Sequence, residues 1–538
     1  MSDTAVLDEA HVGHINGALG TIAQGDIGAR PGLSLKMKTL LAIVGPGLIV
    51  MAGDNDAGAF GTYAQTGQNY GTHLLWTLLL LAPVLYVNQE MVLRLGAVSG
   101  VGHARLIFER FGKFWGAFSV IDLFILNALT IVTEFIGISL AISYLGLPKV
   151  PTVLLAAVAV IGAVSTGSFR RFERLCLMLV VGSLLIVPIF LAIHPPIGQV
   201  ARGLVVPGLP HAQLSTVMLL IIAIVGTTVA PWQLFFQQSY VVDKRITPRW
   251  INYERVDLII GIVIVIVGGA GLMAMSAATF TGHAQFGHFT DAGGTAAGLA
   301  KYVSHAVGDL FAIALIDASV IGAAAIGLAT AYATSDVLHL KHSLHRPVSQ
   351  AKGFYACYAG LIGLAAALVL TPRVPLGLLT EGVQVLAGIL LPSASVFLLL
   401  LCNDKAVLGP WVNGRKLNVL TGSIIWVLVL LSIVLTASVL FPRITGRQIV
   451  DVLLGGTLLA FAVGLYLLMQ ARRSRQRITV DDALAETTRR ETWRMPALSR
   501  LERPVMSMQR KVGLLTLRGY LVIALALVIV KLVEVAMG

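Results

Sequence analysis

Residues 45–62 read GPGLIVMAGDNDAGAFGT, and the interpretation of the whole chain starts from this stretch. It lies within an apolar run long enough to cross a bilayer, yet it places Asp54, Asn55 and Asp56 in mid-run between helix-weakening glycines. Charged groups and broken backbone are costly at membrane depth, and they persist only where they line a cavity or pack against protein. The stretch therefore predicts an interrupted membrane helix with a polar site.

A second interruption is predicted in residues 226–233, which read GTTVAPWQ. Pro231 lacks an amide hydrogen, so carbonyl groups of the preceding turn lose a helical donor. Taken alone, Pro231 could be an ordinary kink and the glycines could merely ease packing, as in many membrane helices. Breaks in the first and sixth apolar segments, five segments apart, are typical of an inverted five-plus-five repeat. We therefore expect a transporter whose substrate site lies where the two breaks meet.

The composition excludes an ordinary soluble enzyme. Of the 538 residues, 56% are hydrophobic and 12% are charged, whereas soluble domains average about 45–50% and about 25%. The basic excess, 39 Lys and Arg against 27 Asp and Glu, falls mostly in alternate loops when the amino terminus is placed in the cytoplasm. This positive-inside bias explains the net charge of +12 by topology, so no nucleic-acid partner is expected.

The apolar segments predict an all-α polytopic membrane protein with about 12–13 spanning helices. They are read at Leu40–Ala64, Leu74–Leu95, Trp115–Leu145, Val153–Val164, Leu175–Ile193, Leu214–Tyr240, Val256–Phe280, Leu310–Val337, Phe354–Leu370, Thr380–Leu401, Val419–Leu440, Val450–Leu468 and Tyr520–Met537. The chain then divides into a cytoplasmic amino-terminal tail (1–38), the first repeat with the broken sixth helix (39–240), the rest of the second repeat (241–402), two additional helices (403–470), a basic cytoplasmic linker (471–518) and a last helix (519–538).

We expect a multi-pass protein of the plasma membrane whose first span directs its own insertion, since residues 1–36 lack a signal-peptide pattern. Residues 472–511 mix Arg with acidic residues and predict a solvated linker, with a regulatory or lipid-binding segment as the alternative. The three cysteines fall in or beside apolar runs, and their spacing suggests neither a disulfide nor a zinc site.

The residue types at the two breaks indicate a hard divalent cation as the substrate. Asp54, Asn55 and Asp56 present oxygen ligands, and the carbonyl groups freed between Thr228 and Ala230 add more. Oxygen ligands suit magnesium, calcium or manganese. These residues are therefore candidate ligands of a transported ion, and no resident cofactor is expected.

Two further polar residues inside predicted spans are candidate partners of the ion. Glu134 lies in the third segment and Gln384 in the tenth, and such groups usually face the interior of a bundle. Glu134 could equally be a structural acid that is bonded to a neighbouring helix. All twelve histidines lie in termini, loops or segment edges, so a buried histidine relay for protons is not expected.

At these residues the sequence resembles the NRAMP family of divalent metal transporters, and in particular its magnesium-transporting branch. The resemblance extends from about Thr39 to Leu468 and rests on several motifs together: Gly45–Gly47 followed by an Asp at fixed offset, Thr133–Gly137, Gly167–Glu173, the Pro231 break, Asn403–Lys405 and Val412–Asn413. It implies the LeuT-type fold, which agrees with a five-plus-five repeat, and transport by alternating access.

Departures from the family pattern bear on which ion is carried. The family's Asp-Pro-Gly-Asn is here Asp56–Ala59, read DAGA, so the metal-binding Asp is kept and a coordinating Asn is lost. Its Met-Pro-His is here Ala230–Trp232, read APW, so the soft sulfur that favours manganese and iron over magnesium is absent. Trp232 also replaces a His that the family associates with proton movement, and Ile131 replaces an acidic residue three positions before Glu134.

The resemblance then implies a widened site for hydrated magnesium, or manganese, that is not coupled to protons. Its predicted ligands are Asp56 as the principal one, with Asp54, Asn55, Glu134 and Gln384 binding directly or through water and Ala230 supplying a carbonyl oxygen. The predicted cavity wall and outer contacts are Ala59, Thr228, Trp232 and Gln233. The expected partners are the ion and the lipid bilayer, with no obligatory protein partner.

Rival functions are a proton-coupled manganese importer, a magnesium channel and a sodium-coupled amino-acid carrier. The amino-acid carrier is disfavoured because Asp54 and Asp56 would repel a carboxylate substrate. An intramembrane enzyme or sensor is disfavoured too, since the sequence has neither a membrane-depth Ser/His pair nor a His-Glu-x-x-His run. The chain is therefore not expected to be an enzyme.

Overall fold

The chain is an almost entirely helical multi-pass membrane protein. The structure is a computed structural model that describes residues 7–210, 212–371, 376–440, 445–473, 490–491 and 493–501, with 514, 515, 519 and 522. Within these residues nine helices are long and apolar enough to cross a membrane, or ten if a bent pair of helices counts as one span. Apart from Val522, the predicted span 520–537 lies outside the described residues, as does most of the predicted linker 471–518.

The α-helices are named in chain order. The first ten are α1 (Leu33–Ile43), α2 (Pro46–Asp54), α3 (Ala57–Tyr70), α4 (Trp76–Ser99), α5 (His103–Phe111), α6 (Lys113–Tyr144), α7 (Lys149–Val164), α8 (Phe169–Gly182), α9 (Ile186–Ile193) and α10 (Ile197–Val205). The others are α11 (Leu214–Thr228), α12 (Pro231–Asp243), α13 (Ile251–Phe280), α14 (Ala292–Tyr302), α15 (His305–Val337), α16 (Lys352–Val369), α17 (Leu376–Cys402), α18 (Lys405–Leu408), α19 (Arg415–Leu440) and α20 (Gly446–Arg473).

Short elements complete the described chain. Two strands, β1 (Ile15–Asn16) and β2 (Thr21–Ile22), pair antiparallel as a small hairpin ahead of α1. Single 3-10 turns occur at Glu9–His11, Ser183–Leu185, Pro248–Trp250, Val348–Gln350, Gly409–Trp411 and Leu498–Arg500. The helices α19 and α20 fall in the region 403–470, for which two additional helices are predicted.

The first predicted break is confirmed between α2 and α3. Helix α2 ends at Asp54, and Asn55 and Asp56 leave the helical conformation, with Asp56 fully extended at φ −75° and ψ −173°. A second bend, which the sequence did not predict, separates α1 from α2 by 56°. It occurs at Gly45, whose φ of 154° is strained for any residue with a side chain.

The break in the sixth span is also confirmed. Helix α11 ends at Thr228 and α12 begins at Pro231, so that Val229 and Ala230 form a two-residue extended link. Proline suits the first position of a helix because it has no amide hydrogen to leave unpaired and its φ is already helical. The residue that interrupts the span therefore also starts the next helix.

Small residues let the broken helices approach their neighbours. Helix α11 packs along α17, and a methyl group at Gly226 would overlap the Gln384 carbonyl and the Gly388 amide. Helix α2 packs along α13, where a methyl group at Gly47 would lie 2.7 Å from the Leu258 backbone. Such close crossings without bulky side chains are how helices associate in lipid.

Buried polar contacts close the face of the bundle that carries the amino-terminal segment, called here the N-terminal face. The amides of Gly45 and Gly47 donate to Asp257 Oδ2 at 3.2 Å and 2.7 Å, which fixes the start of α2 on α13. Lys244 Nζ, at the end of α12, lies 2.6 Å from Glu173 Oε1, and both side chains are fully buried. The start of α2, at the N-terminal face, is therefore held by buried charge-assisted hydrogen bonds.

The β1–β2 hairpin packs against the Lys244–Glu173 pair at the N-terminal face. The amide of Ala18, in the turn of the hairpin, donates to Glu173 Oε2 at 2.5 Å, and Arg174 Nε donates to the Ala18 carbonyl at 3.0 Å. Arg245 likewise donates to the Ala10 carbonyl, at 3.0 Å. The segment before α1 is thus an ordered cap on the N-terminal face.

A buried histidine links the end of α15 to the loop that follows it. His342 Nε2 lies 3.1 Å from Asp336 Oδ1, and its ring centre lies 5.4 Å from that of His11 in the amino-terminal segment. Burial by itself would lower the pKa of His342, but the nearby Asp336 carboxylate outweighs it and the pKa rises to about 9. His342 is therefore protonated at neutral pH, which balances the buried carboxylate.

The α11–α17 crossing generates a stability prediction. Gly226→Ala should lower the unfolding temperature in detergent, because the new methyl group forces α11 away from α17 and overpacking costs about 1–3 kcal/mol. Gly360→Ala on α16 is the matched control, since a methyl group there meets nothing within 4 Å. It should leave the unfolding temperature unchanged or slightly raised, and equal melting of the two variants would contradict the close crossing.

Candidate metal site

Asp56 lies at the centre of the first break and caps α3 from inside the membrane. Its Oδ1 accepts a hydrogen bond from the Ala59 amide at 2.9 Å, and the Ala57 amide donates to Glu134 Oε2 on α6 at 3.1 Å. Asp56 and Glu134 are fully or almost fully buried. The two acids therefore satisfy the amides that the broken helix leaves without intrahelical acceptors.

The two carboxyl groups also face each other. Both side chains converge on Gly322 of α15, where a methyl group would lie 2.7 Å from Glu134 Oε2 and 2.9 Å from Asp56 Cβ. No ion pair among the described residues involves Asp56 or Glu134. Two acids this close in a dry setting must share a proton or bind a cation.

Gln384 on α17 closes another side of this site. A methyl group at Gly58 would overlap the Gln384 side-chain nitrogen and would lie 3.2 Å from Asp56 Oδ1, so only glycine lets the three groups meet. The Gln384 Nε2 has no hydrogen-bond partner within the described part of the chain. Its amide is therefore available to a ligand or to water at the position next to Asp56.

The second break places the Ala230 carbonyl group, the Thr228 hydroxyl and the Trp232 ring in the interior of the bundle. The Ala230 carbonyl accepts from the Gln233 amide at 3.2 Å, and Thr228 Oγ1 lies 2.7 Å from the Tyr63 hydroxyl. The buried Trp232 ring passes 3.6 Å from the position of a methyl group on Gly53. Trp232 therefore packs beside α2, and its role as a wall of the ion cavity stays a prediction.

The remaining two predicted ligands point elsewhere. Asp54 Oδ1 accepts a hydrogen bond from Gln233 Nε2 on α12, which separates it from the Asp56 and Glu134 pair. Asn55 Nδ2 is directed at the Val265 carbonyl on α13, at 3.5 Å. The structure therefore brings Asp56, Glu134 and Gln384 together, while Asp54 and Asn55 occupy neighbouring positions; their roles as ligands stay predictions.

Gln89 on α4 is a site residue that the sequence did not single out. Its Nε2 donates to Gln233 Oε1 at 2.8 Å, and Gln233 in turn binds Asp54. The available signal was the run Asn88–Glu90, three polar residues inside an apolar span. Such a run indicates a buried polar environment, but it does not say which distant helix it faces.

A narrow cavity leads to the site from the face opposite the N-terminal face. It measures about 20 Å³, roughly enough for the centre of one water molecule. Its lining includes Ala57, Gly61, Gln65, Thr133, Gly137 and Glu381. The cavity therefore ends at Ala57 and Thr133, the chain neighbours of Asp56 and Glu134, which are themselves buried.

The groups that could bind an ion at this site are carboxylates, a side-chain amide and backbone carbonyl groups. Within the described ranges, no group of three or more His, Cys, Asp or Glu side chains has the arrangement of a metal site. A cation here would be held by two carboxylates, an amide, backbone carbonyl groups and water. This is the chemistry of a hard ion that keeps part of its hydration shell.

The spanning helices, the broken first and sixth spans and the central buried carboxylates together are typical of a multi-pass membrane transporter. The family model of natural resistance-associated macrophage protein-like proteins, Nramp, matches residues 47–438. The chain belongs to this family of divalent metal transporters. A curated relative, the divalent metal cation transporter MntH of Ralstonia nicotianae, is 29% identical over 423 residues, which cover 75% of this chain and 91% of the relative.

Solved structures agree on the fold. The manganese transporter of Eremococcus coleocola, crystallised with an aromatic bis-isothiourea compound, superposes with a TM-score of 0.61 at 19% identity, covering 87% of this chain and 99% of that one. A mutant form of the same transporter gives 0.60 at 21% identity, covering 85% and 98%. The LeuT-type architecture expected from the two breaks is therefore confirmed.

The contact of Gly58 with Gln384 generates a prediction for transport. Gly58→Ala should reduce divalent metal uptake into liposomes by at least about tenfold, because the methyl group displaces Gln384 and disturbs the oxygen atoms around Asp56. Gly363→Ala on α16, away from the site, is the control, because a methyl group there meets nothing within 4 Å. Equal uptake by both variants would show that the Asp56 and Gln384 arrangement is not used.

Proposed function

We propose that this protein imports magnesium as a partly hydrated ion, with the ion gradient and the membrane potential as its only driving force. The observation that carries the proposal is the site around Asp56, where Glu134 and Gln384 are oxygen-bearing partners and alanine stands at positions 59 and 230. Members of the family that prefer manganese have Asn and Met at these two positions. Without the thioether, the selection against hard ions is lost.

The small side chains also favour an ion that retains water. Magnesium gives up its hydration shell reluctantly and is usually bound through one or two carboxylates with several waters. Asp56 and Glu134 supply two carboxylates, and the side chains of Ala59 and Ala230 are smaller than the Asn and Met of the manganese-preferring members. We infer that the remaining positions of the octahedron are occupied by water, some of it bonded to Gln384.

The orientation of the chain in the membrane follows from the placement of charge. Basic side chains lie at the N-terminal face, among them Arg170, Arg174, Arg245 and Arg249, which bind backbone carbonyl groups of the amino-terminal segment. By the positive-inside rule this face is cytoplasmic, in the plasma membrane of a bacterial-type cell. The cavity at the opposite face would then open to the outside.

The membrane potential is sufficient for this import. At about 2.3 kcal/mol per charge per 100 mV, a divalent ion gains about 4.6 kcal/mol on entering a negative interior, which sustains roughly thousandfold accumulation. The residues associated with proton movement in the family are absent: Trp232 takes the place of a histidine, and the buried Ile131 takes the place of an acid. No proton is therefore required, and the metal is cargo rather than a cofactor.

We propose alternating access rather than a continuous pore. Release to the cytoplasm requires α2 to separate from α12 and α13, which breaks the Asp257 contacts with Gly45 and Gly47 and uncovers the Lys244–Glu173 pair. Each transport cycle would include this rearrangement, so turnover is slow compared with a channel.

The second candidate is a proton-coupled importer of manganese. It is favoured by the curated relative and by the solved structures, which are named as a divalent metal cation transporter and a manganese transporter. Both candidates use Asp56, so loss of function on its mutation does not separate them. Ion preference and proton movement do.

The deciding experiment is ion uptake into liposomes that contain the purified chain, an internal pH dye and an imposed inside-negative potential. We expect magnesium entry without acidification of the lumen, and no entry with Asp56→Ala, because the principal ligand is gone. Empty liposomes at the same potential are the control for leak. Entry of manganese alone, accompanied by acidification, would overturn the proposal in favour of the second candidate.

The identity of residue 230 tests the ion preference separately. Ala230→Met should shift competition between the two ions toward manganese by about tenfold, because a thioether binds manganese better than magnesium. Ala230→Leu is the matched control, as it adds similar bulk without sulfur. A shift of the same size in both variants would assign the effect to space rather than to the ligand.

A further inference from the structure

Asp54 and Asp56 are only two residues apart, yet they face different surroundings. Asp56 points toward Glu134 on α6 and Gly322 on α15. Asp54, the last residue of α2, points toward Gln233 on α12 and is fully buried. The extended residues between α2 and α3 turn the chain so that each carboxylate enters its own polar pocket.

Hydrogen-bond chemistry fixes the orientation of the amides around Asp54. An ionised carboxylate only accepts hydrogen bonds, so Gln233 must present its Nε2 to Asp54 and its Oε1 to Gln89. The Gln89 Nε2 donates to that oxygen at 2.8 Å. Gln89 Oε1 is then left as an acceptor, fully buried and with no partner among the described residues.

Further polar atoms without a partner occur on α2 and α12, which pack against each other. Asp54 Oδ2 has no hydrogen-bond partner in the described part of the chain. Gln237 follows Gln233 by one helical turn and so shares its face of α12; it is fully buried, and neither atom of its amide has a partner within the described ranges. Buried polar groups are normally paired, so a cluster of unpaired ones indicates a missing ligand or water.

The Asp54 carboxylate also lacks a positively charged partner within the described part of the chain. No Lys, Arg or His of the described chain forms an ion pair with Asp54. Lys244, the buried cation that follows α12 at the N-terminal face, is taken by Glu173 and by the Ile43 and Val44 carbonyl groups. A carboxylate in this position is stable only with a proton or a bound cation.

We propose that Asp54, Gln89 and Gln237 form a second position for a hydrated divalent cation, on the N-terminal side of the Asp56 site. The proposal rests on the proposed magnesium transport, which supplies the ion. One carboxylate oxygen and two amide oxygens would bind it, mainly through its water molecules, as suits an ion that dehydrates reluctantly. Gln233 is a positioning residue, since it fixes both Asp54 and Gln89 through hydrogen bonds.

This position lies on the route that the ion must take. Helix α2 separates the Asp56 site from the Lys244–Glu173 contact, and Gln233, Gln237 and Lys244 follow one another along the face of α12 that meets α2. When α2 moves, the ion would pass from Asp56 to Asp54 before it reaches the cytoplasm. Two weak positions in series let an ion bind selectively and still leave quickly.

The test uses Mn²⁺ as a paramagnetic probe of the purified full chain, with bound and free ion counted by equilibrium dialysis and electron paramagnetic resonance. We expect Asp56→Ala to keep one weaker Mn²⁺ per chain, and Asp56→Ala combined with Gln237→Leu to keep none. Gln199→Leu on the exposed α10 is the matched control for the chemical change. Unfolding temperatures confirm that each variant is folded.

Transport gives a second readout. Gln237→Leu alone should lower the maximal rate of magnesium uptake by about fivefold while the external magnesium concentration for half-maximal uptake stays within about twofold, because the step affected follows binding at Asp56. An Asp56→Ala chain without residual Mn²⁺, or a residual site that Gln237→Leu does not weaken, would overturn the second position. A wild-type chain that carries manganese but not magnesium would instead overturn the proposed function.

Discussion

The cap that Asp56 places on α3 in the middle of the membrane is the interaction on which the rest of the structure depends. A helix that is interrupted in a bilayer leaves amides that neither water nor lipid can satisfy. Asp56 binds the Ala59 amide and Glu134 binds the Ala57 amide, so the break is stable only because two acids are buried there. Those same acids create the negative charge that a divalent ion neutralises. The two acids therefore both accept hydrogen bonds from the backbone at the break and provide the negative charge for ion binding.

Helix α2 connects this site to the sealed N-terminal face. It is nine residues long, with Asp54 at one end and the Gly45 and Gly47 contacts to Asp257 at the other. A short rigid helix with polar contacts at both ends and small residues along its sides can tilt as a unit without breaking a core of interlocked side chains. The amide of Ala18 in the amino-terminal hairpin binds Glu173 at this face. The hairpin must therefore also move before the site can open on that side.

Most of the architecture could be predicted because its causes are local. Apolar runs of spanning length, a proline that cannot donate and acids between glycines are visible in residues 45–62 and 226–233, and they located both breaks to within a residue or two. The bend at Gly45 was missed because Gly45 and Pro46 lie inside a long apolar run that was assigned to one span, although the residue before a proline is disfavoured in a helix. The ordered hairpin ahead of α1 was missed because its partners, such as Arg174 and Arg245, come from loops far along the chain.

The class of protein, the positions of the two breaks and the types of atom available to an ion could be predicted from the amino-acid sequence, since hydropathy and ligand chemistry are properties of individual residues. Which of those atoms meet depends on how the helices pack. In the sequence, Asp54, Asn55 and Asp56 are three adjacent candidate ligands with nothing to distinguish their directions. In the fold, the link between α2 and α3 directs their side chains toward α12, α13 and α6 respectively. The direction of a side chain depends on the rotation of each helix about its axis and on neighbours hundreds of residues away, as with Gly58 and Gln384. Those relations are set by packing of the whole bundle, which no local pattern contains.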